Sequence, residues 1–176
     1  MNAPLDPPLF PAGELAPSTS ADPRQRLRRI DDLAAFPGRL GELIAGLDDR
    51  ILERPYRNWT LRQIVHHLAD AQLHGYLRFK AALAEELPTI RPFDETAWSA
   101  RPEARSGPMS PTIDLLMSLY KVWVDLIRQM APHEWERAYF HPEANAAISL
   151  DRALAIYEWH GRHHLAQIVW RVEHLD

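Results

Sequence analysis

The sequence predicts an all-α protein: an antiparallel four-helix bundle with long irregular connections. Three observations predict it. Four long stretches carry apolar residues at steps of three and four, the mark of a helix with one buried face. Proline-rich segments separate them, and no stretch offers convincing strand alternation or a repeat at any period. Four amphipathic helices bury those faces most simply against one another.

Residues 1–23 hold Pro4, Pro7, Pro8, Pro11, Pro17 and Pro23 with Ser18, Thr19 and Ser20 among them, so they read as an extended N-terminal arm. Residues 24–176 read as one domain. Asp22 and Pro23 supply an N-cap and a first-turn proline to a helix through Leu27, Ile30 and Leu33. Pro37 and Gly38 interrupt it, and Leu40, Leu43, Ile44 and Leu47 resume the spacing, so 24–47 reads as one kinked helix or two collinear ones. Thr60 and Gln63 form a capping box for a second helix that runs to about Glu86 along Leu61, Ile64, Leu68, Ala71 and Leu83. An irregular segment follows, about 87–109, marked by Pro88, Pro92, Pro102 and Pro108. Connections of that length are often functional. Ser110-Pro111 opens a third helix through Leu116, Leu119 and Trp123. After a second irregular link, Ser149 caps a fourth helix that ends near His174.

At 176 residues the chain can bury roughly 70% of its unfolded surface, enough for a real core. The composition is 46% hydrophobic and 25% charged with a net charge of -4, and no basic block invites nucleic acid. No apolar run is long enough for a membrane span, and the N-terminus lacks the pattern of a secretory signal, so a cytoplasmic location is expected. There is no cysteine, so a metal site would have to use nitrogen and oxygen ligands.

Three histidines carry the chemistry. His160 and His164 are one helical turn apart, ~40° around the axis and ~6 Å along it, so both rings can reach one ion. They share a line with Ala153, Tyr157 and Ile168, the inward stripe of the fourth helix. His67 has Ile64, Leu68 and Ala71 as face neighbours and also points inward. His66 shares its face with Arg62, Gln63 and Asp70 and is expected to face solvent. A lone inward histidine is more often a structural core residue than a ligand. An inward one plus an aligned inward pair favours a divalent metal, which three neutral imidazoles bind while leaving positions open for water or substrate. His163 is the weaker alternative to His164. Asp70, one turn past His67, is expected to be a surface carboxylate more than a partner of the metal. His74, His133, His141 and His174 lack partner spacing and read as surface or loop residues. Trp59 and Trp159 are candidates for a pocket wall. No phosphate loop or nucleophile elbow is present.

An ordered series of segments resembles the DinB/YfiT-like superfamily and, within it, the YfiT-type metal-dependent hydrolases, also described as bacillithiol S-transferases. It runs from Asn58-Trp59-Thr60-Leu61-Arg62-Gln63 through His66-His67-Leu68-Ala69-Asp70, Tyr76-Leu77-Arg78-Phe79-Lys80 and Pro88-Thr89-Ile90-Arg91-Pro92 to Trp98. It continues through His141-Pro142-Glu143, Ile148-Ser149-Leu150 and Tyr157-Glu158-Trp159-His160 to His163-His164-Leu165-Ala166. The likeness spans nearly the full length. It implies an antiparallel four-helix bundle, a three-histidine metal site at His67, His160 and His164, and a homodimer. It also implies a small-molecule substrate, with a low-molecular-weight thiol as co-substrate in the transferase reading. Zinc and nickel both suit nitrogen ligands. Three readings stand at this point: a metal-dependent thiol S-transferase, a metal-dependent hydrolase that activates water, and a non-catalytic bundle stapled by its metal. The last needs a fourth protein ligand, and none is evident in the sequence.

Overall fold

The structure is a computed structural model that describes residues 6–17 and 22–175. Four long helices dominate it: α1 (Pro23–Ala45), α3 (Leu61–Ala84), α6 (Met109–Arg128) and α7 (Leu150–Glu173), with the short α2 (Asp49–Leu52), α4 (Glu95–Ser99) and α5 (Pro102–Ser106) between them. Each long helix starts where the local chemistry permits. Asp22 caps α1 by accepting from Arg24 N at 3.1 Å, with Pro23 in the first turn. Thr60 and Gln63 close the capping box of α3, and Ser149 accepts from Arg152 N at 3.2 Å to cap α7. The third long helix begins one residue before Ser110, after Pro108.

Pro37 does not divide α1, which the structure shows as one helix of 23 residues. A proline inside a helix removes one hydrogen bond and costs about 3 kcal/mol. Here Ile30, Leu33, Phe36, Leu40 and Ile44 are buried on either side of it, and packing of that continuous face outweighs the local loss.

The order of helices around the bundle is not the order along the chain. α1 packs on α6 and α7, and α3 packs on the same two, so α1 and α3 face each other across one diagonal and α6 and α7 across the other. Simple bundles join neighbours with short loops. This one must cross its own end twice, and both crossings contain strands that the sequence did not announce. β1 (Pro55–Tyr56) pairs with β2 (Trp59–Thr60) before α3. After α6, a 3₁₀ turn (Pro132–Glu136) leads into the antiparallel hairpin of β3 (Ala138–His141) and β4 (Ala146–Ser149). These strands are two or four residues long, too short for an alternation to stand out.

Two glycines let helices approach. A Cβ on Gly75 would lie 2.5 Å from Trp123 and 2.8 Å from Tyr157, whose rings fill the middle of the core. A Cβ on Gly161 would lie 3.1 Å from Phe36, so this residue sets the contact of α7 with α1. The core around them is aromatic, with Trp123 packed edge-on against Phe79 and Tyr157.

The segment between α3 and α6 is more ordered than its prolines predict. Backbone bonds Phe140 N→Pro88 O (2.9 Å) and Ile90 N→Phe140 O (3.0 Å) anchor its start to β3. α4 and α5 then lie over the polar side of α3, where Gln63 Nε2 donates to Ser99 O at 2.8 Å. Arg62, only 5% exposed, donates to Gly107 O, Asp49 and Glu53, each at 2.7 Å, and so ties α3 to the end of α5 and to α2. Residues 6–17 form a strap held through their carbonyls: Arg162 binds Ala12 O (2.8 Å), Trp159 Nε1 binds Gly13 O (2.9 Å), and Arg152 binds Ala16 O (2.8 Å). Of the predicted arm's prolines, Pro7, Pro8, Pro11 and Pro17 fall in this strap, Pro4 lies outside the described residues, and Pro23 belongs to α1. No helix among the described residues is long and apolar enough to cross a membrane.

Candidate metal centre

α3 and α7 are neighbours in the bundle, and their contact brings the three sequence-selected histidines together. His67 comes from the second turn of α3, and His160 and His164 come from successive turns of α7. His67 Nε2 lies 3.1 Å from His160 Nε2, which lies 3.2 Å from His164 Nε2. One nitrogen from each ring falls within 4.8 Å of the others. His67 is 3% exposed and His164 8%, so water does not separate the rings from the core.

This geometry fits a metal better than it fits three mutually bonded imidazoles. Gln167 Oε1 is 2.7 Å from His164 Nδ1, so that nitrogen carries the proton and the lone pair of His164 is on Nε2, facing the cluster. His67 Nδ1 and His160 Nδ1 are buried without a partner. Three ring nitrogens are thus turned on one point, and nothing among the described residues holds a proton on the Nε2 of His67 or His160 except the other rings. Nitrogen ligands about 2.0–2.1 Å from a tetrahedral ion stand about 3.3 Å apart, close to the two separations found. Burial also keeps the rings neutral: it pushes His67 down to about 4, and burial with the neighbouring His67 pushes His164 down to about 3. His160 is held well below the usual range by burial and by the other histidines. Neutral imidazole is the form that binds a cation.

His163 contributes no donor to the cluster. Its ring stacks on Trp159, with centroids 4.9 Å apart, and its Nε2 is 2.8 Å from Gln167 Nε2. It therefore fixes the glutamine that fixes His164. Trp159 lies on this outer side with the strap and does not reach the cavity. Trp59 does wall the site, with its ring 4.6 Å from that of His67. No fourth histidine, cysteine or carboxylate joins the cluster among the described residues.

His67 and His160 open onto a cavity of about 700 Å³ between α3, α7, the β3–β4 hairpin and the segment before α4. Phe93, Ala71 and Ile156 supply its apolar wall, and Arg78, Tyr139, Tyr157, His141, Asp94, Glu95 and Glu143 its polar groups. Apart from Tyr157, on the inward stripe of α7, these were not legible as a site, because Arg78 is one unpaired charge on a helix and the rest come from between the long helices. Their one signal was the length of those connections.

The expectations for His66, His74 and His141 are corrected, and that for Asp70 in part. His66 does not face solvent: its Nδ1 is 3.0 Å from Thr112 Oγ1 and its Nε2 is buried, because α5 and α6 cover that face. Asp70 stays out of the three-histidine cluster, as expected, but it is half-buried in a separate cleft with His66, Arg101 and Glu103, and its carboxyl is pushed up to about 6 by burial and by Glu103. His74 stacks flat on Phe93 at 4.3 Å, and His141 lines the cavity, so neither is an idle surface residue.

Comparison with known proteins agrees with this architecture. The family model of the DinB superfamily matches residues 32–168, a span that includes all three histidines. The chain belongs to the DinB superfamily. Within it, YfiT of Bacillus subtilis is 38% identical over 161 residues, covering 90% of each chain, and its name assigns it provisionally to the metal-dependent hydrolases. A relative from Geobacillus thermodenitrificans with the same kind of name is 38% identical over 170 residues, covering 94% of each chain. The solved structure of Bacillus subtilis YfiT superposes with a TM-score of 0.91 at 37% identity, covering 94% of this chain and 96% of that one. That structure is described as a four-helix bundle of unusual topology, in keeping with the diagonal crossings found here.

Proposed function

We propose that this DinB-superfamily chain is a metal-dependent enzyme, with His67, His160 and His164 holding one divalent ion, zinc or nickel, beside the cavity. The observation that carries the proposal is the convergence of three neutral imidazole nitrogens, two of them on buried residues, on one point with no fourth histidine, cysteine or carboxylate among the described residues. Structural zinc sites are normally closed by four protein ligands, whereas three leave room for a substrate. When bound, such an ion supplies Lewis acidity, lowering the pKa of an acidic group that reaches its open position.

The chain's own residues do the rest. Gln167 holds His164 in the tautomer that presents Nε2. Trp59 and Phe93 pack beside His67 and keep water from that side. Arg78 and Tyr157 stand on the cavity wall with a polar edge for a ligand. The favoured reaction is transfer of a low-molecular-weight thiol, such as bacillithiol, to an electrophile. It suits a site in which no carboxylate of the described residues hydrogen-bonds the histidines as a base, because a thiol, with a pKa of about 8.5, gives up its proton far more readily than water does. It also suits a protein without cysteine, to which the sulfur must be brought. The second reading, hydrolysis, rests on the names of the relatives.

Metal-loaded protein given bacillithiol and a model electrophile tests the first reading. Conjugation above the rate of thiol alone, abolished by chelation, is expected. Ester or amide cleavage without added thiol, rising in rate near neutral pH, would replace it with the hydrolase reading.

A further inference from the structure

Arg78 stands in the cavity beside the histidines, and no carboxylate among the described residues comes within ion-pair distance of it. Several other arginines that reach the interior or the connections are matched, although Arg171, against the Trp170 ring and His174 O, also lacks a carboxylate among the described residues. Arg62 meets Asp49 and Glu53, Arg26 meets Asp151 at 2.7 Å, and Arg137 donates to Ala82 O and Glu85 O at 2.6 and 2.7 Å. No carboxylate of the described residues lies within 4.0 Å of the Arg78 guanidinium. One of its terminal nitrogens donates to Tyr157 Oη at 2.9 Å, its Nε is buried without a partner, and its plane is 5.9 Å from the Tyr139 ring. The side chain is half-buried, so its head is partly stripped of water.

A guanidinium fixed this way is prepared for a planar anion. Its terminal edge matches a carboxylate in a two-point contact, and partial desolvation strengthens that contact. Asp94, Glu95 and Glu143 line the same cavity, and Glu95 is pushed up by burial and by the charges of the other two. They oppose a second negative charge, so the rest of the ligand facing them is uncharged or cationic.

We infer that Arg78, steadied by Tyr157, is the anchor for a single carboxylate on the small molecule that this cavity takes. The inference deepens the proposed function by naming a chemical feature of its substrate. It rests on that reading only for what happens to the ligand after it binds.

The test is therefore a binding measurement that needs no turnover. Full-length protein, metal-loaded and metal-free, is titrated by NMR with butyrate, butyramide and inorganic phosphate. Butyrate should bind both forms with comparable affinity, and butyramide and phosphate should each bind at least tenfold more weakly. Arg78→Met should weaken butyrate at least tenfold without changing metal content, and Arg78→Lys should recover only part of the loss. Should Arg78→Met fail to fold, the comparison of butyrate with butyramide on the unmodified chain decides alone. Equal binding of acid and amide, tighter binding of phosphate, binding confined to the metal-loaded form, or an unchanged Arg78→Met variant would each overturn the anchor. A confirmed anchor in a protein that turns nothing over would leave it standing and remove the enzymatic reading instead.

Discussion

Three imidazole rings are the residues on which the proposed chemistry turns, and the orientation of one of them depends on a residue outside the cluster. Gln167 accepts from His164 Nδ1 at 2.7 Å and is itself held by His163 at 2.8 Å. Groups in that position orient a metal ligand, and their loss typically costs 10–100-fold in metal affinity. Gln167→Ala should weaken metal binding by that factor while leaving the helical circular dichroism in place; an unchanged affinity would show that packing alone orients His164. The histidines were legible in the sequence because helix periodicity separates inward from outward rings. That rule failed for His66. Its face is polar, but Arg62, Gln63 and Asp70 bond to or lie under the α4–α5 segment rather than water, and a polar face predicts solvent only when nothing folds over it.

Among the elements, α3 and α7 form the contact that makes the site, and Gly75 lies inside it. Trp123 and Tyr157 occupy the space a Cβ would need, and both are rigid buried rings. Gly75→Ala should destabilise the protein by about 1–3 kcal/mol, lowering the midpoint of thermal unfolding, since overpacking a core forces rings or backbone to move. A higher midpoint, from the better helix propensity of alanine, would mean that the rings shift freely. The long helices were legible from capping residues and apolar spacing, signals strong over 20 or more residues. The hairpins were not, for β3 and β4 hold four residues each and are fixed by tertiary contacts such as Phe140 N→Pro88 O. Pro37 misled in the opposite direction, because burial of its neighbours overrides a local helix breaker.

Across the whole molecule, three buried neutral histidines couple folding to pH when no metal is bound. In the unfolded chain they take up protons near 6.5, but His67 does so only near 4 and His164 near 3 in the folded protein. Between those values the unfolded state binds more protons, so stability falls as pH drops from about 7 toward 4. Asp70 acts in the opposite sense, since its carboxyl is raised to about 6 and favours the folded state as it protonates. Urea denaturation of metal-free Asp70→Asn protein at pH 7.5, 6 and 5, compared with the same variant carrying His67→Ala and His164→Ala, isolates these histidines from Glu95 and the other buried rings. A steady decline in the difference is expected, and a flat difference would place the rings in contact with water. The diagonal arrangement of helices was beyond the sequence, because apolar faces say that helices pack and not which ones are neighbours. It matters to function: α3 and α7 meet only because the chain crosses the end of the bundle.

The central claim is that His67, His160 and His164 share one ion. Metal content per chain, measured after loading and desalting, tests it most directly when the single variants His67→Ala, His160→Ala and His164→Ala are set beside His66→Ala. One ion per chain in the parent and in His66→Ala, with most of it lost from each of the other three, is the predicted result. Full metal content in any of those three variants, or loss in His66→Ala, would contradict it.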